Sequence, residues 1–190
     1  MGVGAAIVHN GRVRQSRRGE TDDRFHVSVI CTSNICRSPM AAIVLRHAVA
    51  EAGLGDRVRV TSAGTGPWHV GGPAHANTRR VLADAGFDTD HIAHQITRDE
   101  MPTVDLLLAA DRTHLAALTG LERPAGRGRR ETVATAAPDR IVLFRSFDPA
   151  ADHDEIPDPY GGPHEEYLQV MAMVRAAVPG IVDEIRRRLG

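Results

Sequence analysis

The chain has 190 residues, enough for one domain with a full hydrophobic core. Hydrophobic residues at 42% and charged residues at 25% are the balance of a globular protein, and a formal net charge of -1 supplies no field for nucleic acid or a membrane surface. With 2 cysteines, Cys31 and Cys36, a disulfide-stapled scaffold is excluded and a reducing compartment is expected.

Residues 1–23 are rich in Gly and Arg and keep no hydrophobic period, so a flexible extension is expected. An arm docking on anionic partners is the functional alternative. The apolar stretch Ala5-Ala6-Ile7-Val8 is too short for a secretory signal, and Arg12, Arg14, Arg17 and Arg18 follow it instead of preceding it. Ala6 stands where a myristoylation motif wants Ser or Thr. No apolar run reaches transmembrane length, so a cytoplasmic location is expected; unconventional export would leave no legible mark.

The folded domain is expected over residues 24–190. Phe25 to Ile30 is a short β-rich run. Ser38 is placed to cap a helix, with Pro39 at its first position, Met40 to Ala52 as its body and Gly53 as its stop. Val58 to Ala63 reads as a second strand, Thr65 to Gly72 as a loop, and Ala74 to Asp84 as a second helix. Val104 to Ala110 is a near-continuous apolar run, as a strand buried on both faces should be. Asp111 and Thr113 open a helix to about Leu121, and residues 123–138, rich in Gly, Pro and Arg, read as an inserted surface loop. Ile141 to Phe144 is a fourth strand, Ser146 to Pro163 a long loop, and His164 to Leu189 a closing helix with a kink expected at Pro179. Strands alternating with helices predict one α/β domain: a four-stranded parallel sheet with helices on both faces. Ligands of such sheets bind at the carboxyl ends of strands, where Cys31 stands.

Cys31-Thr32-Ser33-Asn34-Ile35-Cys36-Arg37 is a C-x5-R heptapeptide between the first strand and the first helix. A thiol attacks phosphorus as thiolate. Inward N–H groups, the helix N-terminus and Arg37 can each stabilise that thiolate and also bind a phosphate dianion. Arg37 can clamp two phosphate oxygens and follow the charge into the transition state. The Ser38 hydroxyl can donate to the Cys31 sulfur. A leaving group needs a proton, and Asp158, held between Pro157 and Pro159, is the acid candidate, with Tyr160 as an aromatic wall. On composition alone, a plain acidic turn is the better reading of Asp158.

Residues 29–41, Val-Ile-Cys-Thr-Ser-Asn-Ile-Cys-Arg-Ser-Pro-Met-Ala, resemble the signature of low-molecular-weight protein tyrosine phosphatases. Asp158-Pro159-Tyr160 resembles that family's general-acid motif, and Thr61 to Thr65 with Trp68-His69-Val70-Gly71 resembles its second strand and aromatic loop. The resemblance implies that Cys31 attacks the phosphoester while Asp158 protonates the leaving group, and that Asp158 then serves as base for the hydrolytic water. It implies no metal or organic cofactor. It places Thr32, Ser33, Asn34, Ile35 and Cys36 around the phosphate, with Trp68 and Tyr160 walling a cleft deep enough to favour phosphotyrosine. Asn34 is expected in a left-handed turn supported by His91, with Ser38 a second supporting residue. The expected partners are phosphotyrosine proteins, with phosphate and vanadate as inhibitors and the chain a monomer. A reversible Cys31–Cys36 disulfide is implied as well, beside the plainer reading of Cys36 as a packing residue.

Several positions depart from that family's pattern. Ser33 replaces a usual Gly, and a positive φ there would cost about 1–3 kcal/mol of strain. Ala42 replaces a common acidic residue, and Gly161 stands where a second Tyr is frequent. An arsenate reductase would need cysteines downstream of Cys36, and there are none. A protein-arginine phosphatase is a closer alternative; in family terms Ile35 marks phosphotyrosine and a small Thr there would mark phosphoarginine. A phosphate-binding module with reduced turnover is the reading that Ser33 motivates. His75, His114, His153 and His164 are read as surface or structural.

Overall fold

The computed structural model describes residues 22–122 and 139–190. The expected extension, apart from its last two residues, and the expected insertion 123–138 lie outside the described residues. Four parallel strands, β1 (Phe25–Cys31), β2 (Val58–Gly64), β3 (Leu106–Ala109) and β4 (Ile141–Leu143), form one sheet in the order β2-β1-β3-β4. The helices are α1 (Arg37–Glu51), α2 (Ala76–Asp84), α3 (Arg112–Glu122) and α4 (His164–Leu189).

Alternation along the strands sorts the core into two layers. Val27, Val29, Leu106 and Leu108 face α1 and α4 on one side of the sheet. Ile30, Leu107 and Ala109 face α3 and the 96–104 segment on the other. Leu106, Leu107 and Leu108 are all fully buried, which is why β3 reads as an unbroken apolar run. Val104 falls outside the strand: it ends a 3-10 turn over Met101–Thr103. Phe144, expected in the fourth strand, instead opens a 3-10 turn to Phe147.

The first half of α1 is buried all round, from Arg37 to Leu45, because it is wedged between sheet and α4. That accounts for Ala42, which is 1% exposed: a carboxylate there would lose its water without a partner. The helix begins earlier than expected. Its N-cap is Cys36, and no side chain caps it. Ser38 is not the cap; its hydroxyl is drawn to the Cys31 sulfur instead.

The final helix runs through Pro179 to Leu189 as one element. Gly180, next to that proline, lies against the Phe147 carbonyl, where a Cβ would overlap the oxygen. This close approach packs the 3-10 turn after β4 onto α4. Among the described residues, no helix is long and apolar enough to cross a membrane.

Candidate active site

The heptapeptide forms the turn from the end of β1 into α1. Four of its carbonyls are held from outside. Thr65 N–H donates to Cys31 O (2.9 Å), Gly66 N–H to Thr32 O (3.0 Å), His91 Nε2 to Asn34 O (2.7 Å) and His75 N–H to Ile35 O (2.8 Å). In a trans peptide the C=O of one residue and the N–H of the next point in opposite directions. Fixing these carbonyls outward therefore aims the N–H groups of Thr32, Ser33, Ile35 and Cys36 inward. Arg37 and Ser38 add the unpaired N–H groups of a helix N-terminus. The loop is a ring of donors with Cys31 at its base, a site for an oxyanion.

Asn34 makes this turn possible. It adopts the left-handed conformation anticipated for it, φ 56°, and no other non-glycine described residue has a positive φ. Its amide is fully engaged. Nδ2 donates to Ser38 Oγ (2.9 Å) and Ser62 Oγ (2.9 Å), and Oδ1 accepts from His94 N–H (2.9 Å). His91 holds the Asn34 carbonyl as a neutral imidazole, its pKa lowered chiefly by burial. Ser33 is not in the left-handed region, so the strain expected of it is absent, and it lines the cleft.

Ser38 Oγ lies 3.0 Å from Cys31 Sγ and 3.4 Å from Ala63 O. Having accepted from Asn34, it has one proton to give, to the Ala63 carbonyl or to the nearer sulfur when that is a thiolate. The two cysteines are free thiols and both are buried. Cys36 Sγ sits 3.9 Å from Tyr167 Oη, and burial, with Cys31 nearby, pushes its pKa up to about 11. Cys36 therefore has little thiolate at neutral pH.

Arg37 is 3% exposed and held at several points. Nη1 donates to Asp111 Oδ2 (2.7 Å) and Ile156 O (3.2 Å); Nη2 donates to Asp158 Oδ2 (2.8 Å) and Thr32 Oγ1 (3.2 Å). Its Nε–H is buried without a partner among the described residues. Such a group is costly unless a ligand oxygen supplies the bond. Asp158, its side chain 48% exposed, also accepts from Tyr160 N–H (3.2 Å). Gly161 has φ +82°, and the Gly162 N–H closes the turn on Pro159 O (3.0 Å). The glycine that replaces a frequent tyrosine thus has a conformational reason.

A cleft of about 330 Å³ joins Cys31, Arg37, Asp158, Trp68 and Tyr160, with Ile35 and His69 in its walls. Trp68 and Tyr160 are 68% and 59% exposed and stand at the rim. Asn34, Ser38 and His91 lie behind the loop, outside the cleft.

Sequence reasoning overlooked the group that anchors Arg37. Asp111 follows β3, at the same edge of the sheet as Cys31, and that placement was its one available signal. Burial alone would raise its pKa, but hydrogen bonds from Thr113, the His114 N–H and Arg37 hold it below the ordinary carboxylate value. His114, read as surface or structural, is 2% exposed and bonded through Nε2 to Thr32 Oγ1 (2.9 Å). Its pKa is lowered, chiefly by burial.

A thiol at the carboxyl edge of a parallel sheet, ringed by oxyanion donors and faced by a carboxyl group, defines the class of thiol-dependent phosphomonoesterases. The sequence model for the low molecular weight phosphotyrosine protein phosphatase family matches residues 26–189. The low molecular weight protein-tyrosine phosphatase A of Mycobacterium tuberculosis is 41% identical over 169 residues, 88% of this chain and 95% of that protein. The low molecular weight protein-tyrosine-phosphatase of Streptomyces coelicolor is 41% identical over 170 residues, 87% and 96% of the two chains. The crystal structure of a protein tyrosine phosphatase from Entamoeba histolytica, at 22% identity, shares the fold with a TM-score of 0.76 over 87% of this chain and 99% of that one. This chain belongs to the low molecular weight phosphotyrosine protein phosphatase family.

Proposed function

We propose that this chain hydrolyses phosphotyrosine in proteins through a cysteinyl-phosphate on Cys31. The phosphoryl oxygens take the inward N–H groups of Thr32, Ser33, Ile35, Cys36 and Arg37 and the partnerless Nε–H of Arg37. That buried, unpaired donor is the observation that carries the reading. Cys31 sulfur attacks phosphorus: the S–P bond forms as the bond to the phenolic oxygen breaks, and Asp158 gives its proton to that oxygen. For this the Asp158 carboxyl leaves Arg37 Nη2, where substrate oxygen replaces it, and turns to the leaving group. In the second step a water gives its proton to Asp158 and its oxygen to phosphorus, the S–P bond breaks, and phosphate departs. Ser38, 3.0 Å away, stabilises the sulfur as it regains its charge.

Trp68 and Tyr160 at the rim support a long, flat phosphoester over a short one. Ile35 in the wall supports phosphotyrosine over phosphoarginine, and Ile35→Thr should shift activity toward phosphoarginine. The absence of strain at Ser33 removes the motive for reading the chain as a phosphate-binding module. Inorganic phosphate and vanadate should compete at the same ring of donors. A monomer that acts in cytoplasmic signalling fits this activity. The test is turnover of an aryl phosphate by the purified chain. Vanadate-sensitive turnover well above a Cys31→Ser control is expected, and none above that control would refute the proposal.

A further inference from the structure

We infer that His114 is a positioning residue for this reaction, acting on Arg37 through Thr32 and Asp111; the inference rests on the phosphatase reading above. Arg37 must keep its plane while charge moves across the phosphoryl group. One of its Nη2 contacts, Asp158, is the group that leaves during catalysis. Once Asp158 has turned away, Thr32 Oγ1 is the protein acceptor left on Nη2.

A hydroxyl holds a guanidinium only where its own rotamer is fixed. Thr32 Oγ1 accepts from Arg37 Nη2 at 3.2 Å, so its O–H is free to donate, and His114 Nε2 lies 2.9 Å away. The Asp111 carboxylate 2.8 Å from Nδ1 favours the proton of a neutral ring there, which leaves Nε2 to accept from the Thr32 hydroxyl. Nδ1 faces Asp111 Oδ1 at 2.8 Å, but off the direction of a hydrogen bond, so this is an electrostatic contact. His114 bonds Oδ1 through its backbone N–H, at 3.0 Å, beside the bonds from Thr113. The other Asp111 oxygen accepts from Arg37 Nη1 at 2.7 Å.

The contacts close a ring: Arg37, Asp111, His114, Thr32 and back to Arg37. His114 joins it twice, by backbone to Asp111 and by side chain to Thr32. The loop after β1 is thereby tied to the start of α3, whose first turn carries His114. The ring leaves Nε free for substrate and holds both Nη groups from the protein side.

The test compares His114→Ala, His114→Gln, Thr32→Val and the double variant His114→Ala/Thr32→Val in the full chain. Aryl phosphate kinetics, vanadate titration and thermal midpoints are read for each. Losing a buried hydrogen bond to this network should lower kcat about tenfold, leave KM within about twofold and weaken vanadate about tenfold. Because His114 acts through Thr32, the double variant should be no worse than either single one. His114→Gln, whose side-chain oxygen can accept from Thr32, should recover most of the loss. The inference is overturned if the two single losses multiply, or if His114→Ala lowers the thermal midpoint with kcat and vanadate affinity unchanged. Should His114→Ala fail to fold, His114→Gln and Thr32→Val carry the comparison: equal, unimpaired vanadate affinity in both overturns it. A wild-type chain with no turnover above Cys31→Ser marks the failure of the phosphatase reading instead, and the vanadate arm still decides the ring.

Discussion

Gly64→Ala isolates the geometry of the donor ring from its chemistry. Gly64 ends β2 behind the loop, and its φ lies outside the left-handed region, so alanine adds no backbone strain. The added Cβ would stand 2.7 Å from Thr32 O, 3.0 Å from Ser33 C and 3.1 Å from Asn34 N. Ordinary contact begins at 3.4 Å, so Thr32 O has to retreat by 3.4 minus 2.7, about 0.7 Å. Gly64 cannot yield in its place. Its N–H donates to His94 O at 2.7 Å and its carbonyl accepts from Ile96 N–H at 2.9 Å. The Thr32–Ser33 peptide therefore moves, and with it an inward donor. Catalytic groups have to stay within about 0.5 Å of productive geometry, and a 1 Å error costs on the order of 100-fold. A fall of about 10- to 100-fold in kcat/KM is expected, with an overpacking cost of about 1–3 kcal/mol in stability. Initial rates on an aryl phosphate and a denaturation curve measure both. A variant that keeps kcat/KM within about threefold, while vanadate binds as in the parent, would refute the view that this glycine sets the loop.

Other expectations follow from the same contacts. Asn34→Ala removes three hydrogen bonds and puts alanine at φ 56°, so chemical denaturation should show a loss of about 3–5 kcal/mol along with the loss of turnover. Asp158→Ala should lower kcat strongly and leave vanadate affinity nearly intact, because Arg37 keeps Asp111 and Thr32; a change in affinity alone would contradict the acid assignment. His26, His91 and His114 all have folded pKa values lowered by burial, so the unfolded chain takes up protons that the folded chain refuses. Their contribution to stability is full above the unfolded histidine pKa of about 6.5 and is lost progressively as pH falls below it. The denaturation midpoint should drop between about pH 7.5 and pH 5.5, and less steeply in His91→Gln; equal slopes would argue that His91 is not held neutral.

The sequence made the strands and the C-x5-R loop legible because both signals are local. Leu106 to Ala110 is an unbroken apolar run because β3 is buried on both faces, and the absence of alternation shows it. Ser38 was misassigned for an equally physical reason. Ser followed by Pro is a sound cap signal, but the capping hydroxyl was claimed by Cys31 Sγ and Asn34 Nδ2, and that demand exists only in the folded chain. Asp111 and His114 were beyond local reading. They lie 74 and 82 residues from Arg37 and Thr32 in sequence, and only the β1–β3 pairing brings them to one edge. Gly161 and Gly64 show two different uses of glycine. The first needs a positive φ, which a turn pattern betrays; the second needs empty space behind Thr32, which no pattern marks.

The central claim is that phosphate passes through Cys31 sulfur. Acid quenching of Asp158→Ala during turnover of an aryl phosphate, followed by peptide mass spectrometry, tests it most directly, since loss of the base for the water step should let the intermediate accumulate. Phosphate on the peptide bearing Cys31, absent in Cys31→Ser, is the expected result. Turnover with no covalent phosphate, or with phosphate on another residue, would contradict the account.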